Sequence, residues 1–100
     1  MPLDLALHVD FARHEVRLRG KPIALSPQEF RLLAAFLKQP GTVLSPERLL
    51  DMAWGSADGG PENVRVYMGY LRRKLERDPR DPVLLETIRG FGYRYNPPRA

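Results

Sequence analysis

The sequence predicts an α+β fold, with short strands at both ends and three helices between them. Three observations carry that prediction. Apolar and polar residues alternate with period two over the first 25 residues and again near residue 90. Two Ser-Pro pairs, Ser26-Pro27 and Ser45-Pro46, head stretches whose apolar residues recur at helical spacing. A third stretch of helical spacing, 62–77, follows a glycine-rich loop.

In the N-terminal part, Leu3, Leu5 and Leu7 alternate with Asp4 and Ala6, and Val9 and Phe11 flank Asp10. Val16 and Leu18 then alternate with Glu15, Arg17 and Arg19. One apolar and one polar face describe a small antiparallel sheet covered from one side. Tight turns are expected at Arg13-His14 and Gly20-Lys21. Pro22, which has no N–H for a ladder, puts the following strand at an edge or marks its start.

Ser26 caps the first helix, Pro27 suits the first helical position, and Glu29 completes a capping box. Phe30, Leu33, Ala34 and Leu37 form its apolar stripe, widened by Leu32 and Phe36, and Pro40-Gly41 ends it. Ser45-Pro46-Glu47 starts a shorter second helix carrying Leu49, Leu50, Ala53 and Trp54, which Gly55 stops. The loop 55–61 is polar and glycine-rich. The third helix is expected from Glu62 to Arg77. Val64, Met68, Leu71 and Leu75 fall within an arc of about 60° that faces the core. Asn63, Val66, Tyr70, Arg73 and Arg77 lie opposite, flanked by Arg65, Arg72 and Lys74. After Asp78–Pro82, strands at Leu84–Ile88 and Tyr93–Tyr95 enclose Arg89-Gly90-Phe91-Gly92, a hairpin with an arginine at its tip.

Composition narrows the function classes. One hundred residues make one domain. The absence of cysteine excludes disulfides, thiolate metal sites and cysteine nucleophiles. His8 and His14 stand alone and read as surface residues. No apolar run reaches the roughly 18 residues of a membrane span, and Met1–Asp4 is not a signal peptide, so the reading is a cytoplasmic protein with no membrane partner. Paired carboxylates, a histidine-based triad, a metal cluster and a phosphate-binding glycine loop are all missing, so neither an enzyme nor a cofactor is expected. The net charge of +4 is segregated: residues 1–60 hold seven Lys/Arg and seven Asp/Glu, residues 61–100 nine against five. Such a segregated excess suits a polyanion partner.

The third helix reads either as an amphipathic surface helix or as one that enters a DNA major groove, about 12 Å wide. The layout favours the second: the hairpin beside it can put Arg89 into the neighbouring minor groove. A protein-interaction module would instead show aromatic or leucine side chains where Asn63, Arg73 and Arg77 stand.

Five segments in order carry a resemblance: 25–33 (LSPQEFRLL), 41–45 (GTVLS), 49–55 (LLDMAWG), 64–76 (VRVYMGYLRRKLE) and 86–95 (ETIRGFGYRY). Together they resemble the C-terminal effector domain of OmpR/PhoB response regulators. Within the family, 67–72 (YMGYLR) is most similar to the potassium-responsive KdpE type. The resemblance implies a winged helix-turn-helix spanning 1–100: a four-stranded antiparallel N-terminal sheet (1–25), three helices (26–77) and a C-terminal wing (83–96). It implies transcription regulation through tandem binding to direct repeats in double-stranded DNA, under a receiver domain phosphorylated by a sensor kinase. That receiver is absent from this sequence, and Met1-Pro2 reads as an excised start.

Carried over by position, Asn63, Val66 and Tyr70 are base-reading candidates, and Arg73 on the same exposed arc and Arg89 at the wing join them. An asparagine can pair with an adenine edge, and a valine can pack on a thymine methyl. Arg73 contacts a base or a phosphate. Trp54, Tyr67, Arg72, Lys74 and Tyr93 are phosphate-contacting candidates, which fix register without reading sequence. Trp54 is placed either on a phosphate through its indole N–H or in the core, and Arg94 on a phosphate or in solvent. The loop 55–61 corresponds to the family's RNA polymerase contact.

Overall fold

The computed structural model describes residues 7–55 and 59–97. Strands β1 (Leu7–Asp10), β2 (Glu15–Leu18) and β3 (Lys21–Ile23) form an antiparallel sheet in chain order. The expected four strands are three among the described residues, and Leu3 and Leu5 lie outside them. Arg19 and Gly20 both have positive φ, 52° and 77°, between the paired Leu18 and Lys21. That conformation is a two-residue type I′ turn, whose twist matches the flanking strands. Pro22 sits in β3, at an edge among the described strands. Phe11, expected inside the strand alternation, lies in the β1–β2 turn and is exposed. The strand stops at Asp10 because its carboxylate accepts the backbone N–H of Arg13 and closes the turn.

Helix α1 (Pro27–Lys38) begins as its sequence directs: the Ser26 hydroxyl accepts from the Glu29 N–H at 3.1 Å, and the Glu29 carboxylate accepts from the Ser26 N–H at 2.8 Å. Ser45 caps α2 (Pro46–Trp54) through the Arg48 N–H. Gly55 takes a positive φ at its end. Helix α3 (Pro61–Leu75) ends two residues before the expected Arg77. Glu76 leaves the helix with an extended backbone, and its carboxylate turns inward to accept three backbone N–H groups.

Between α1 and α2 runs β4 (Val43–Leu44), a strand not expected from the sequence. It pairs with β6 (Gly92–Tyr95), which pairs with β5 (Leu85–Ile88), so the wing is a three-stranded sheet of order β4-β6-β5. One apolar cluster joins all layers: Val16 and Leu18 from the first sheet, Leu33 and Phe36 from α1, Leu49 from α2, Leu71 from α3 and Leu85 from the wing. Among the described residues no helix is long and apolar enough to cross a membrane.

Candidate nucleic-acid interface

Helix α3 divides as its spacing predicts. Val64, Met68, Leu71 and Leu75 are buried to within 1% of full enclosure, while Val66 and Tyr70 are 47% and 37% exposed. Arg65, Arg73 and Arg77 are exposed beside them.

The exposed side chains are organised. The Trp54 ring meets Tyr67 edge-on at 5.4 Å, and Tyr67 meets Tyr70 edge-on at 5.1 Å. The Arg73 guanidinium lies over Tyr70, 5.5 Å from the ring centroid. The end of α2 and the outer face of α3 therefore carry a continuous aromatic ladder that ends in a cation. Edge-to-face pairs and cation–π stacking limit side-chain rotation, so these groups are preorganised for contact. Trp54 is half-buried and packs on the core cluster while it supports Tyr67. At the other end, Asn63 folds back over Gly59: a Cβ at Gly59 would collide with the Asn63 side chain. Gly59 also holds φ 90°, a region that glycine occupies without strain.

The wing stands beside α3. Arg89 is exposed at its tip, next to Gly90 with φ 85°. Tyr93 is half-buried on β6, opposite Leu44 and Thr87. The Arg72 guanidinium lies 5.6 Å from the Tyr93 ring centroid. Its Nε and Nη2 donate to the Leu85 carbonyl at 3.0 and 2.7 Å, and Nη2 also donates to the Thr87 hydroxyl at 2.8 Å. Burial pushes the Arg72 pKa down from its ordinary value, and the charges of Tyr93 and Glu76 oppose that. A guanidinium remains protonated through such changes.

Not every expected residue joins this surface. The Lys74 ammonium donates to the Glu29 carboxylate at 2.6 Å and to the Ala24 carbonyl at 2.9 Å, so it points to the start of α1. Arg94 donates to Glu86 across the β5–β6 pair at 2.8 Å. The hydrogen bonds from Arg94 and Asn96 hold the Glu86 carboxyl below its ordinary pKa. Glu76, which sequence reasoning missed, is buried, and it accepts from Val83, Leu84 and Leu85 at 2.9, 3.1 and 2.7 Å. Residues 56–58 of the glycine-rich loop lie outside the described residues. Among the described residues no group of three or more His, Asp or Glu side chains is placed to hold a metal.

The family profile described as "Transcriptional regulatory protein, C terminal" matches residues 20–95. The chain belongs to that family. Its fold is that of the OmpR/PhoB-type effector domain: the response regulator DrrB of Thermotoga maritima, an OmpR/PhoB homologue, superimposes with TM-score 0.82 at 32% identity, over 91% of this chain and 42% of that one. The RstA DNA-binding domain of Klebsiella pneumoniae, solved in complex with the RstA box, superimposes with TM-score 0.83 at 30% identity, over 92% of both chains. A "Probable transcriptional regulatory protein" of Picosynechococcus sp. is 44% identical over 94 residues. This effector domain covers 92% of itself in that match but only 36% of the relative's length.

Proposed function

We propose that the chain is the sequence-specific DNA-binding half of a response regulator that controls transcription, with α3 in the major groove and the wing arginine in the adjacent minor groove. One observation carries the reading. The outer face of α3 stacks Tyr67, Tyr70 and cationic Arg73 in one array and leaves Val66 exposed on the same face, with the Arg89-bearing wing braced alongside.

Asn63, Val66, Tyr70 and Arg73 read base edges in the major groove, and Arg89 reads the minor groove. Trp54, Tyr67 and Tyr93 flank them as phosphate contacts. Arg72 keeps Nη1 for a phosphate, because its bonds to the wing use Nε and Nη2. Lys74 braces α3 against α1 in this reading, because its ammonium is bound to Glu29. The resemblance to OmpR/PhoB effectors supports tandem occupancy of direct repeats, RNA polymerase contact through loop 55–61, and control by a receiver and sensor kinase in a longer protein. The KdpE-like subfamily rests on residues 67–72. With a single domain, affinity depends on neutralised phosphates and on a neighbouring copy.

The test is selection from a randomised duplex library, followed by titration of the winning site at several salt concentrations. The expected result is an enriched direct repeat whose affinity falls steeply as salt rises. Arg73→Ala should weaken binding to that site by about 1–3 kcal/mol and relax one base position. Salt-dependent binding with no enriched sequence would remove the base-reading roles. No binding at low salt would make the α3 face a protein-docking surface.

A further inference from the structure

We propose that Arg72 and Glu76 are positioning residues that lock the wing at one angle to α3, so that the two reading elements act as a single rigid head. The proposal rests on the DNA-binding reading above. Arg72 stands in the last turn of α3 and Glu76 is the residue that ends it, its N–H bonded to the Arg72 carbonyl at 2.9 Å, so both side chains reach the wing from the same end of the helix. Between them they grip one peptide unit pair. The Leu85 N–H donates to Glu76 Oε2 at 2.7 Å, and the Leu85 carbonyl accepts from Arg72 Nε and Nη2 at 3.0 and 2.7 Å. Glu76 also takes the N–H groups of Val83 and Leu84, and Arg72 reaches Thr87 two residues along β5. All are charge-assisted hydrogen bonds, which are short and directional.

A hairpin's own ladder sets its shape but not its tilt against the rest of the molecule. The pairing of β4 with β6 and the Gly41 N–H on the Tyr95 carbonyl tie one side of the sheet to the helices, whereas β5, at the other edge, meets the core through apolar packing of Leu85, which tolerates small rotations. The clamp removes that freedom at the root of β5. Arg89 lies four residues beyond Leu85, about 13 Å along a strand. A rotation of about 15° at Leu85 would therefore displace the tip by about 3 Å, as far as a hydrogen bond is long.

The experiment is a double-mutant cycle on the duplex recovered by selection, with the whole chain. Arg89→Ala in the otherwise unchanged protein should weaken binding about tenfold. In Glu76→Gln, where an amide replaces one oxygen that faces backbone N–H donors, the same Arg89→Ala change should weaken binding less than about twofold, because the arginine is already misplaced. Arg72→Lys, which keeps the charge and loses the fork, should give the same loss of coupling and serves if Glu76→Gln does not fold. Leu18→Ala, which destabilises the first sheet without touching the clamp, should retain the full tenfold effect, as a merely structural role for Arg72 and Glu76 would not predict. A tenfold effect of Arg89→Ala retained in both clamp variants overturns the proposal. No effect of Arg89→Ala in the unchanged protein overturns it together with the minor-groove reading, whereas α3 variants would still report DNA binding.

Discussion

The two three-stranded sheets are joined to the same helices by different means. The first, β1-β2-β3, is built from consecutive hairpins and meets the core through Val16 and Leu18. The Lys74 ammonium ties it to α3 by donating to the Ala24 carbonyl, just past β3. The second, β4-β6-β5, takes a strand from between two helices, presses Gly92 against the Leu44 carbonyl, and is held to α3 by Arg72 and Glu76. Apolar contact is non-directional, so it secures burial but leaves orientation loosely determined. Hydrogen bonds to charged groups specify direction. The first sheet is attached mainly by the first kind of force, with a charged hydrogen bond only just past its last strand, and the sheet that carries Arg89 is attached within β5 by both.

The largest expected effect tests that contrast directly. Gly92 has φ 148°, and a Cβ there would run into the backbone carbonyl of Leu44, which cannot step aside. Gly92→Ala should lower stability by about 3 kcal/mol in urea unfolding, from strain and overpacking together. Gly20→Ala, in a left-handed turn of the first sheet with open space around it, should lower it by about 1–2 kcal/mol. Equal losses would dissolve the distinction.

Next in size is Lys74, which joins α3 both to the end of the first sheet at Ala24 and to Glu29 in α1. Burial pushes the Glu29 carboxyl up, but hydrogen bonds from Lys74 and Ser26 and the charge of Lys74 outweigh it, so its pKa lies below the ordinary 4.5. A depressed carboxylate contributes stability that is present above about pH 4.5 and lost as pH falls through the lower folded-state value. Lys74→Met should cost about 1–3 kcal/mol at neutral pH by leaving the buried carboxylate without its cation. It should also start the acid loss at a higher pH, because burial is then opposed by Ser26 alone. Melting temperatures followed from neutral pH into the acid range check both effects, and superimposable pH profiles would refute them. The smallest expected effect is at the turn of the first sheet. The Arg13–Asp10 pair is 3.9 Å long, with side chains 74% and 49% exposed, so Arg13→Ala should change stability by about 0.5 kcal/mol or less.

What the sequence makes legible follows the same division. Both Ser-Pro helix starts and the buried edge of α3 depend on residues within one or two turns of each other, and periodicity and capping chemistry expose them. The outward placement of Val66, Tyr70 and Arg73 was legible for the same reason. Strand β4 was not: two residues carry no period, and their partner lies beyond two helices. Nor does a glutamate after the last turn of a helix, or a lysine within it, announce a partner in another element. Lys74 reads as a phosphate-contacting candidate and Glu76 has no legible role until the chain path brings Glu29 and Leu85 to them. The early end of α3 has the same origin, since Glu76 leaves the helix to reach residues 83–85.

The pairing of Val43 with Arg94 has a kinetic side. The first sheet and α1 need only neighbours in the chain, and short loops close readily. The wing needs β4 to wait, across α2 and α3, for β6 to arrive. Contacts of such sequence separation form late, after local structure has shortened the effective loop. On a ribosome, α3 would emerge and coil before the wing strands that orient its reading head exist. The wing is therefore expected to be the last part of this domain to fold.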